Sequence, residues 1–387
     1  MKSKTLRTIA IVLAIILIAM LVYYWFCFTD NTFVSKYRTL YIETALSTLS
    51  HQWMATELLP DSVVSNVVLS MQQAYEDNIK IESEHKVPNI ESTEIKAINA
   101  AFNGDIAIKN KETFKLNYKF IDYNTLPNDL EYNNLDIQDI ADLGIKTIYG
   151  DNVWAINTIE GIVIIEVSGD NYKGKLCIVK DASRFGVVKT RYLGYGQTVK
   201  DMTNDNGGIL GINAGGFDDP EGLGTGGEPS GLVISNGNIV NELGEYDYYS
   251  TAWMDTSNNF NVGTHVNFET VRDAVQFFPI LVANGKKVVS GSYGLGIQPR
   301  TAIGQAVSGD ILILAIDGRQ LGYSLGTDVS ECADILIKYG AWNTMNMDGG
   351  SSTELVYKGL TINKPSSVGE NGRSIATAWI VYPLKQS

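Results

Sequence analysis

Twenty consecutive residues without a charge, Ile9 to Phe28, constrain this chain more than any other feature. At 1.5 Å rise per residue such a run spans about 30 Å as a helix, the thickness of a bilayer core. Lys2, Lys4 and Arg7 precede it and Asp30 follows it. The positive-inside bias then places the N-terminus in the cytoplasm and the residues after 30 outside the cell. Tyr23, Tyr24 and Trp25 sit near the outer end, where aromatic side chains anchor a span at the interface. A cleaved signal peptide is the competing reading. The run is longer than an ordinary h-region, and Trp25, Phe26, Cys27 and Phe28 offer no small-x-small cleavage site, so an uncleaved single-pass anchor is expected.

Residues 34–76 carry apolar positions at helical spacing: Leu40, Ile42, Ala45, Leu46, Leu49, Trp53 and Met54. Pro60 and Asp61 break that segment, and Asp61 or Ser62 caps a second helix expected to run to about Gln73. This predicts a membrane-proximal helical segment. Residues 77–115 are polar and lack periodicity, which fits a linker with short helices. Residues 116–150 are rich in Asn and Asp and ambiguous. The expected division is an anchor over 1–30, a helical segment and linker over 31–150, and a separate domain over 151–387.

From about residue 152 the pattern changes to short apolar runs punctuated by Gly, Asn and Asp. Strands are predicted at 153–156, 161–167, 176–180, 187–192, 209–213, 231–235, 239–240, 252–254, 280–282, 287–289, 301–305, 311–316, 344–347, 353–356 and 375–381. Asn236-Gly237 and Asn284-Gly285 are hairpin-turn signals. Two helices are expected to interrupt the strands, at 268–277 and 329–339. The second has Asp328 and Glu331 at capping-box spacing and Gly340 at its C′ position. The fold class is therefore α+β: a β-rich mixed sheet domain with a few helices, behind a transmembrane helix and a short helical segment. Glycine, at 37 residues against 9 prolines, suits this turn-rich reading.

The formal charge of -13 argues against nucleic acid as a partner, because that binding relies on Lys and Arg to neutralise phosphates. Any anion must be met by a local cationic pocket. Three cysteines, Cys27, Cys177 and Cys332, make no disulfide framework and read as buried thiols. There is no G-x-S-x-G, H-E-x-x-H or P-loop. His265 is the sole histidine of the β-rich region and lacks a suggestive neighbour. His51 and His85 read as structural.

Chemistry is instead concentrated in Gly-rich polar clusters at predicted strand ends. Asn213 and Asp218 flank Gly215-Gly216, where glycine permits close backbone approach. Arg300 and Thr301 open one strand. Asp317-Gly318-Arg319 closes the apolar strand 311–316. Asp348-Gly349-Gly350-Ser351-Ser352 closes another, and Arg373 precedes the last strand. An arginine can clamp phosphate through two parallel N–H···O bonds. Each cluster alone reads equally well as an ordinary turn. Together they supply carboxylates, guanidinium groups, an amide and hydroxyls, the composition needed to cleave an anionic glycoside.

The motifs GINAGGF, RTAIG, DGR, NMDGGSST and GRSIATA, in this order over residues 150–383, resemble those of the phosphodiester glycosidase family. That resemblance implies a mixed α/β domain with a central β-sheet. It also implies release of a sugar, typically N-acetylglucosamine, from a phosphodiester at its anomeric carbon. The matching positions are Asn213, Asp218, Arg300, Thr301, Asp317, Gly318, Arg319, Asp348, Gly349, Gly350, Ser351, Ser352 and Arg373. Asp317, Asp348, Arg300 and Asn213 are taken as catalytic, with Asp317 or Asp348 as base or nucleophile. The others are taken as substrate-binding. The expected partner is a phosphorylated glycan or glycosyl-phosphate polymer, with the membrane engaged by residues 9–28. No cofactor is expected, although Asp and Asn are suitable oxygen ligands for a structural divalent cation. Two rivals remain at this stage: a phosphodiesterase or transferase that modifies wall polymer or exopolysaccharide, and a non-catalytic phosphoglycan-binding module.

Overall fold

The computed structural model describes the chain except residues 1, 49–50, 84–110, 128–129, 131, 133–134, 141–142, 220–225, 243–247, 368–371 and 385–387. His85 and most of the expected linker lie outside the described residues. The chain divides into two compact units: residues 1–73 with 294–296, and residues 74–293 with 297–387.

The first unit is helical. Helix α1 (Lys2–Phe28) contains a 24-residue stretch, Thr5–Phe28, of mean hydropathy 2.7, long and apolar enough to cross a membrane or to serve as a signal sequence. Helix α2 (Thr32–Leu46) starts where the Asn31 side chain accepts the N–H groups of Phe33 and Val34, an N-cap. A single turn, α3 (Trp53–Thr56), follows. Pro60 precedes α4 (Asp61–Asn78), at the break expected there. Ile42, Ala45, Ala55, Leu59, Val63 and Val64 bury their side chains together.

The second unit is built on three sheets whose paired strands are all antiparallel. The largest has nine strands in the order β1 (Asp136–Gln138), β2 (Asn152–Asn157), β3 (Ile162–Ser168), β4 (Lys173–Val179), β15 (Ile311–Ile316), β14 (Arg300–Ala306), β16 (Ala341–Met347), β12 (Ile280–Ala283) and β13 (Lys286–Lys287). A second sheet orders β10 (Phe260–Gly263), β9 (Ser250–Asp255), β11 (Val271–Phe277), β7 (Val233–Ser235) and β8 (Asn238–Asn241). The third orders β18 (Leu360–Thr361), β17 (Leu355–Tyr357), β6 (Leu210–Asn213), β19 (Thr377–Val381) and β5 (Phe185–Lys189). Short helices α5 (Lys111–Asn117) and α6 (Val199–Asp205) accompany them.

One core joins the three sheets. It includes Ile164, Cys177, Ile313 and Met345 of the large sheet, Ala252, Val262 and Val275 of the second, and Ile212, Leu355 and Trp379 of the third. Trp379 stacks on Phe185 with ring centroids 4.5 Å apart. The other face of the large sheet receives α7 (Val329–Lys338). Strand β15 is covered on both faces, so its sequence Ile-Leu-Ile-Leu-Ala-Ile is apolar throughout rather than alternating.

Local signals hold where chemistry is local. Asn236 and Gly237 both adopt positive φ between β7 and β8, as do Asn284 and Gly285 between β12 and β13, the geometry of tight hairpins. Asp328 caps α7 by accepting the Glu331 N–H at 2.8 Å, and Gly340 has φ +83° past the helix end. The Glu331 carboxylate turns away from the cap to accept the Tyr172 hydroxyl.

The helix expected over 268–277 is corrected to strand β11. Its pairing with β9 slips between Val271 and Asp273. That bulge interrupts the two-residue period, so Val271, Ala274 and Val275 fall at a spacing that imitates a helix. Asp273 inside the strand is buried and accepts from Arg272 Nε, Val187 N–H and Asn236 N–H.

Ile313 sits mid-strand in the large sheet with no exposed surface. Ile313→Ala is expected to destabilise this unit by about 2–5 kcal/mol through lost burial and the cavity left behind. Chemical denaturation followed by far-ultraviolet circular dichroism measures it; a loss under about 1 kcal/mol would contradict the packing described.

Candidate functional site

Strands that end together decide where the polar clusters meet. Antiparallel registry pairs Arg300 with Ile316 and Thr301 with Met347, so β15 and β16 finish at the end of the sheet where β14 begins. Asp317 and Asp348 therefore emerge at the same end, with β14 between their strands. From the third sheet, β6 brings Asn213 to this point.

Asn213 is buried and bonded on every side. Its Nδ2 donates to the Asp348 carbonyl at 2.5 Å, and its Oδ1 accepts the Thr301 hydroxyl at 2.7 Å and the Glu354 N–H at 3.3 Å. The Asp348 N–H donates to the Ala214 carbonyl at 3.0 Å. Asn213 and Thr301, 1% and 0% exposed, thus form a floor that fixes the Asp348 backbone.

Above that floor the Asp348 carboxylate is half-buried. Burial pushes it up to about 6, against the Ser352 hydroxyl, the Gly349 N–H and the positive charges of Arg373 and Arg319, which favour the ionised form. Arg319 adopts φ +59°, unusual for a side chain of its size, and its Nε donates to Gln298 Oε1 at 2.7 Å. Its guanidinium passes over Gly350, where an added Cβ would approach Nη2 to 2.9 Å. Arg373 donates to Asp219 at 2.7 Å and lies over the Phe217 ring at 4.8 Å. Its Nε is buried without a hydrogen-bond partner.

Glycine is required beneath this arrangement. A Cβ on Gly318 would meet Pro299 N at 2.6 Å, and one on Gly349 would meet the Pro299 carbonyl at 2.7 Å. The Gly350 N–H donates to that same carbonyl, while Gly349's points at Asp348, so both amides have partners within the protein. Ser351 lies with Ser352 in the single 3-10 turn that follows. Asp218 accepts the Ser230 hydroxyl at 3.2 Å.

Asp317 and Arg300 are placed differently. The Asp317 carboxylate accepts the Tyr323 hydroxyl at 2.9 Å, the Lys364 N–H at 2.9 Å and Asn363 Nδ2 at 3.1 Å. Burial raises its pKa, and those bonds oppose the rise. It lines a cleft with Lys173, Lys175 and Lys364. Arg300 is buried and donates from Nε to the Thr327 carbonyl at 3.0 Å, beside the start of α7. Burial lowers its pKa to about 10. Adjacent strand residues face opposite sides, so Arg300 must point away from the floor that Thr301 joins. His265, mostly exposed, bonds Glu82 at 2.8 Å.

Three participants escape the sequence reading. Asp219 rather than Asp218 pairs with Arg373, a choice between neighbours that no local signal makes. Phe217 lies under that arginine. Glu354 is buried and raised to about 7 by burial, while accepting the Thr361 hydroxyl and the Val199 N–H at the start of α6. Among the described residues, no group of three or more His, Cys, Asp or Glu side chains is placed to hold a metal ion.

A carboxyl raised to about 6 destabilises the fold when ionised. Its stabilising contribution is present below the unfolded value of 3.8 and is lost as pH rises through about 6. Asp348→Asn is therefore expected to raise the melting midpoint at pH 8 by about 3 °C, by roughly half as much at pH 5 and hardly at all below the unfolded value of 3.8, read by differential scanning calorimetry across that range. A variant that melts lower at pH 8 would show that the carboxylate is a net support.

A model of the phosphodiester glycosidase family matches residues 206–382, the stretch that contains Asn213, Arg319, Asp348 and Arg373. A curated relative, the SPbeta prophage-derived uncharacterized protein YomE of Bacillus subtilis (strain 168), is 26% identical over 212 residues. That match covers 48% of this chain and 30% of the relative, so the chain spans under a third of that protein's length. Among solved structures, the zebrafish N-acetylglucosamine-1-phosphodiester alpha-N-acetylglucosaminidase catalytic domain, auto-inhibited by its pro-peptide, aligns with TM-score 0.47 at 19% identity, over 57% of this chain and 82% of that one. A hypothetical protein from Synechocystis aligns with TM-score 0.43 at 17% identity, over 60% and 64%. A putative exported protein from Burkholderia pseudomallei K96243 aligns with TM-score 0.42 at 14% identity, over 63% and 78%. The segment that builds the Asp348 centre, residues 206–382, belongs to the phosphodiester glycosidase family.

Proposed function

We propose that this chain hydrolyses a glycosyl phosphodiester outside the cell, releasing a sugar such as N-acetylglucosamine from a phosphorylated cell-surface glycan, while α1 anchors it in the membrane. The observation that carries this reading is Asp348, a carboxylate of raised pKa at a strand end, within electrostatic reach of Arg319 and Arg373 and inside the family-matched segment.

Hydrolysis breaks the bond between the anomeric carbon and the phosphate oxygen. Water supplies a hydroxyl to the sugar, and the phosphomonoester departs with the electron pair. Such a leaving group needs charge neutralisation more than protonation. Arg319 and Arg373 are placed to supply it, since fixed cations aimed at developing negative charge lower a barrier without rearranging. Ionised Asp348 serves the anomeric carbon as base or nucleophile, the roles carboxylates take in glycoside hydrolysis. Asn213 and Thr301 are positioning residues that hold its backbone. Asp317 is a further positioning residue: it ties the loop at 363–364 to the strand end from which Gly318 and Arg319 depart.

The full chain, purified in detergent, is to be assayed for N-acetylglucosamine release from its methyl phosphodiester. Asp348→Asn should lower kcat by roughly 10³-fold, and Arg319→Ala or Arg373→Ala by roughly 10²–10³-fold each, as removal of one charge-stabilising donor does elsewhere. Asp317→Asn should cost less. The rate should climb as pH rises through about 6, because Asp348 must be ionised. Sugar release that survives Asp348→Asn would overturn the assignment.

A further inference from the structure

Beside the Asp348 centre lies a cleft of about 470 Å³ whose cations the proposed chemistry does not use. We propose that it is a second anion subsite, which binds a phosphate group of the glycan beyond the one at the scissile bond. This rests on the glycosyl-phosphodiester reading of the Asp348 centre and extends it to the length and charge of the substrate.

The position follows from sheet registry. Ser168 pairs with Lys173, Asn152 with Glu166, and Gly174 with Ile316. The start of β4 and the end of β3 therefore lie at the same end of the strands as Asp317 and Asp348. Between β4 and β16 stand β15 and β14. Three interstrand steps place the cleft about 14 Å from the end of β16. A single sugar phosphate does not fill that span, whereas a polymer repeating the linkage does.

Charges in the cleft sort into paired and unpaired. Glu166 bonds Lys175 at 3.3 Å. Asp151 bonds Lys338 at 2.6 Å and accepts the Tyr339 hydroxyl. Asp317 is engaged by Tyr323, Asn363 and the Lys364 backbone. Lys173 and Lys364 remain. Among the described residues neither ammonium makes an ion pair, yet they converge on one ring: Lys173 Nζ lies 5.1 Å and Lys364 Nζ 4.0 Å from the centroid of Tyr323. The Tyr323 hydroxyl is held by Asp317, so the ring is fixed. Each ammonium rests over the Tyr323 ring rather than in an ion pair, so its N–H groups can still donate to a phosphate oxygen. Lysine meets phosphate as a point charge and tolerates varied approach, which suits a repeating polymer better than a single shaped ligand.

The test compares the full chain in detergent with Lys173→Ala/Lys364→Ala and Lys173→Arg/Lys364→Arg. The substrates are methyl N-acetylglucosamine-1-phosphate and a short oligomer of N-acetylglucosamine joined through phosphodiesters. The alanine pair should raise KM for the oligomer roughly fivefold to tenfold, leave KM for the methyl diester unchanged, and flatten the salt dependence of the oligomer's KM. The arginine pair should restore the wild-type value. Equal oligomer KM in all three proteins overturns the subsite while leaving the proposed hydrolysis intact. If neither substrate turns over, the hydrolase reading fails, and calorimetric titration still decides the subsite. Oligomer affinity that drops with the alanine pair supports it. Affinity that is unchanged, or equalled by an uncharged chitin oligomer of the same length, overturns it.

Discussion

The Asn213 side chain is the joint on which the site depends. It leaves the third sheet at the end of β6 and bonds the Asp348 carbonyl, the Thr301 hydroxyl and the Glu354 N–H. These partners come from the end of β16, the start of β14 and the turn into β17. An amide can serve all of them because it offers donors on one side and two lone pairs on the other. Shortening it would strand buried polar groups at about 1–3 kcal/mol apiece. The side chain is sealed from solvent, so its contribution is geometric: it fixes where the two sheets meet, and with them the Cα from which the Asp348 carboxylate projects.

The charges above that joint are kept apart as deliberately as they are brought together. A carboxylate between two arginines would ordinarily collapse into an ion pair, leaving nothing for a ligand. Here each guanidinium has a second holder. Gln298 takes Arg319, while Asp219 and the Phe217 ring take Arg373. Asp348 consequently stays raised rather than lowered despite two cations nearby. Strained φ at Arg319 and a buried, unpartnered Nε on Arg373 belong to the same arrangement. Such features destabilise a fold and are retained where a site uses them.

Much of this was legible in the sequence, with a physical boundary to it. Turns written by Asn-Gly and the helix capped by Asp328 depend on a few adjacent residues. Strand β11 imitates a helix in sequence because a bulge in its pairing with β9 shifts its face. Asp317 and Asp348 look alike in the chain, each following an apolar strand and preceding glycine. Their separation comes from Tyr323, Asn363 and Lys364, which converge on Asp317 alone. No short-range pattern encodes that convergence. The placement of Arg300 was within reach, however. With Arg300 and Thr301 adjacent in a strand, only one of them can face the floor.

Antiparallel registry brings Lys173 and Arg319 to one end of the large sheet, and the remainder of the molecule sharpens their effect. The chain is acidic by 13 charges, so a polyanion is repelled over most of its surface. Attraction needs cations that are not already in ion pairs, and Lys173 and Lys364 are two such groups among the described residues. At the opposite end of the same strands, Lys180 is paired with Asp310 at 2.8 Å and adds no such attraction. On the proposed reading, an anionic chain would run along the sheet end from the lysine cleft to Asp348. A neutral protein bearing the same lysines and arginines would bind anions in more places. The acidity is what turns a few local cations into a direction.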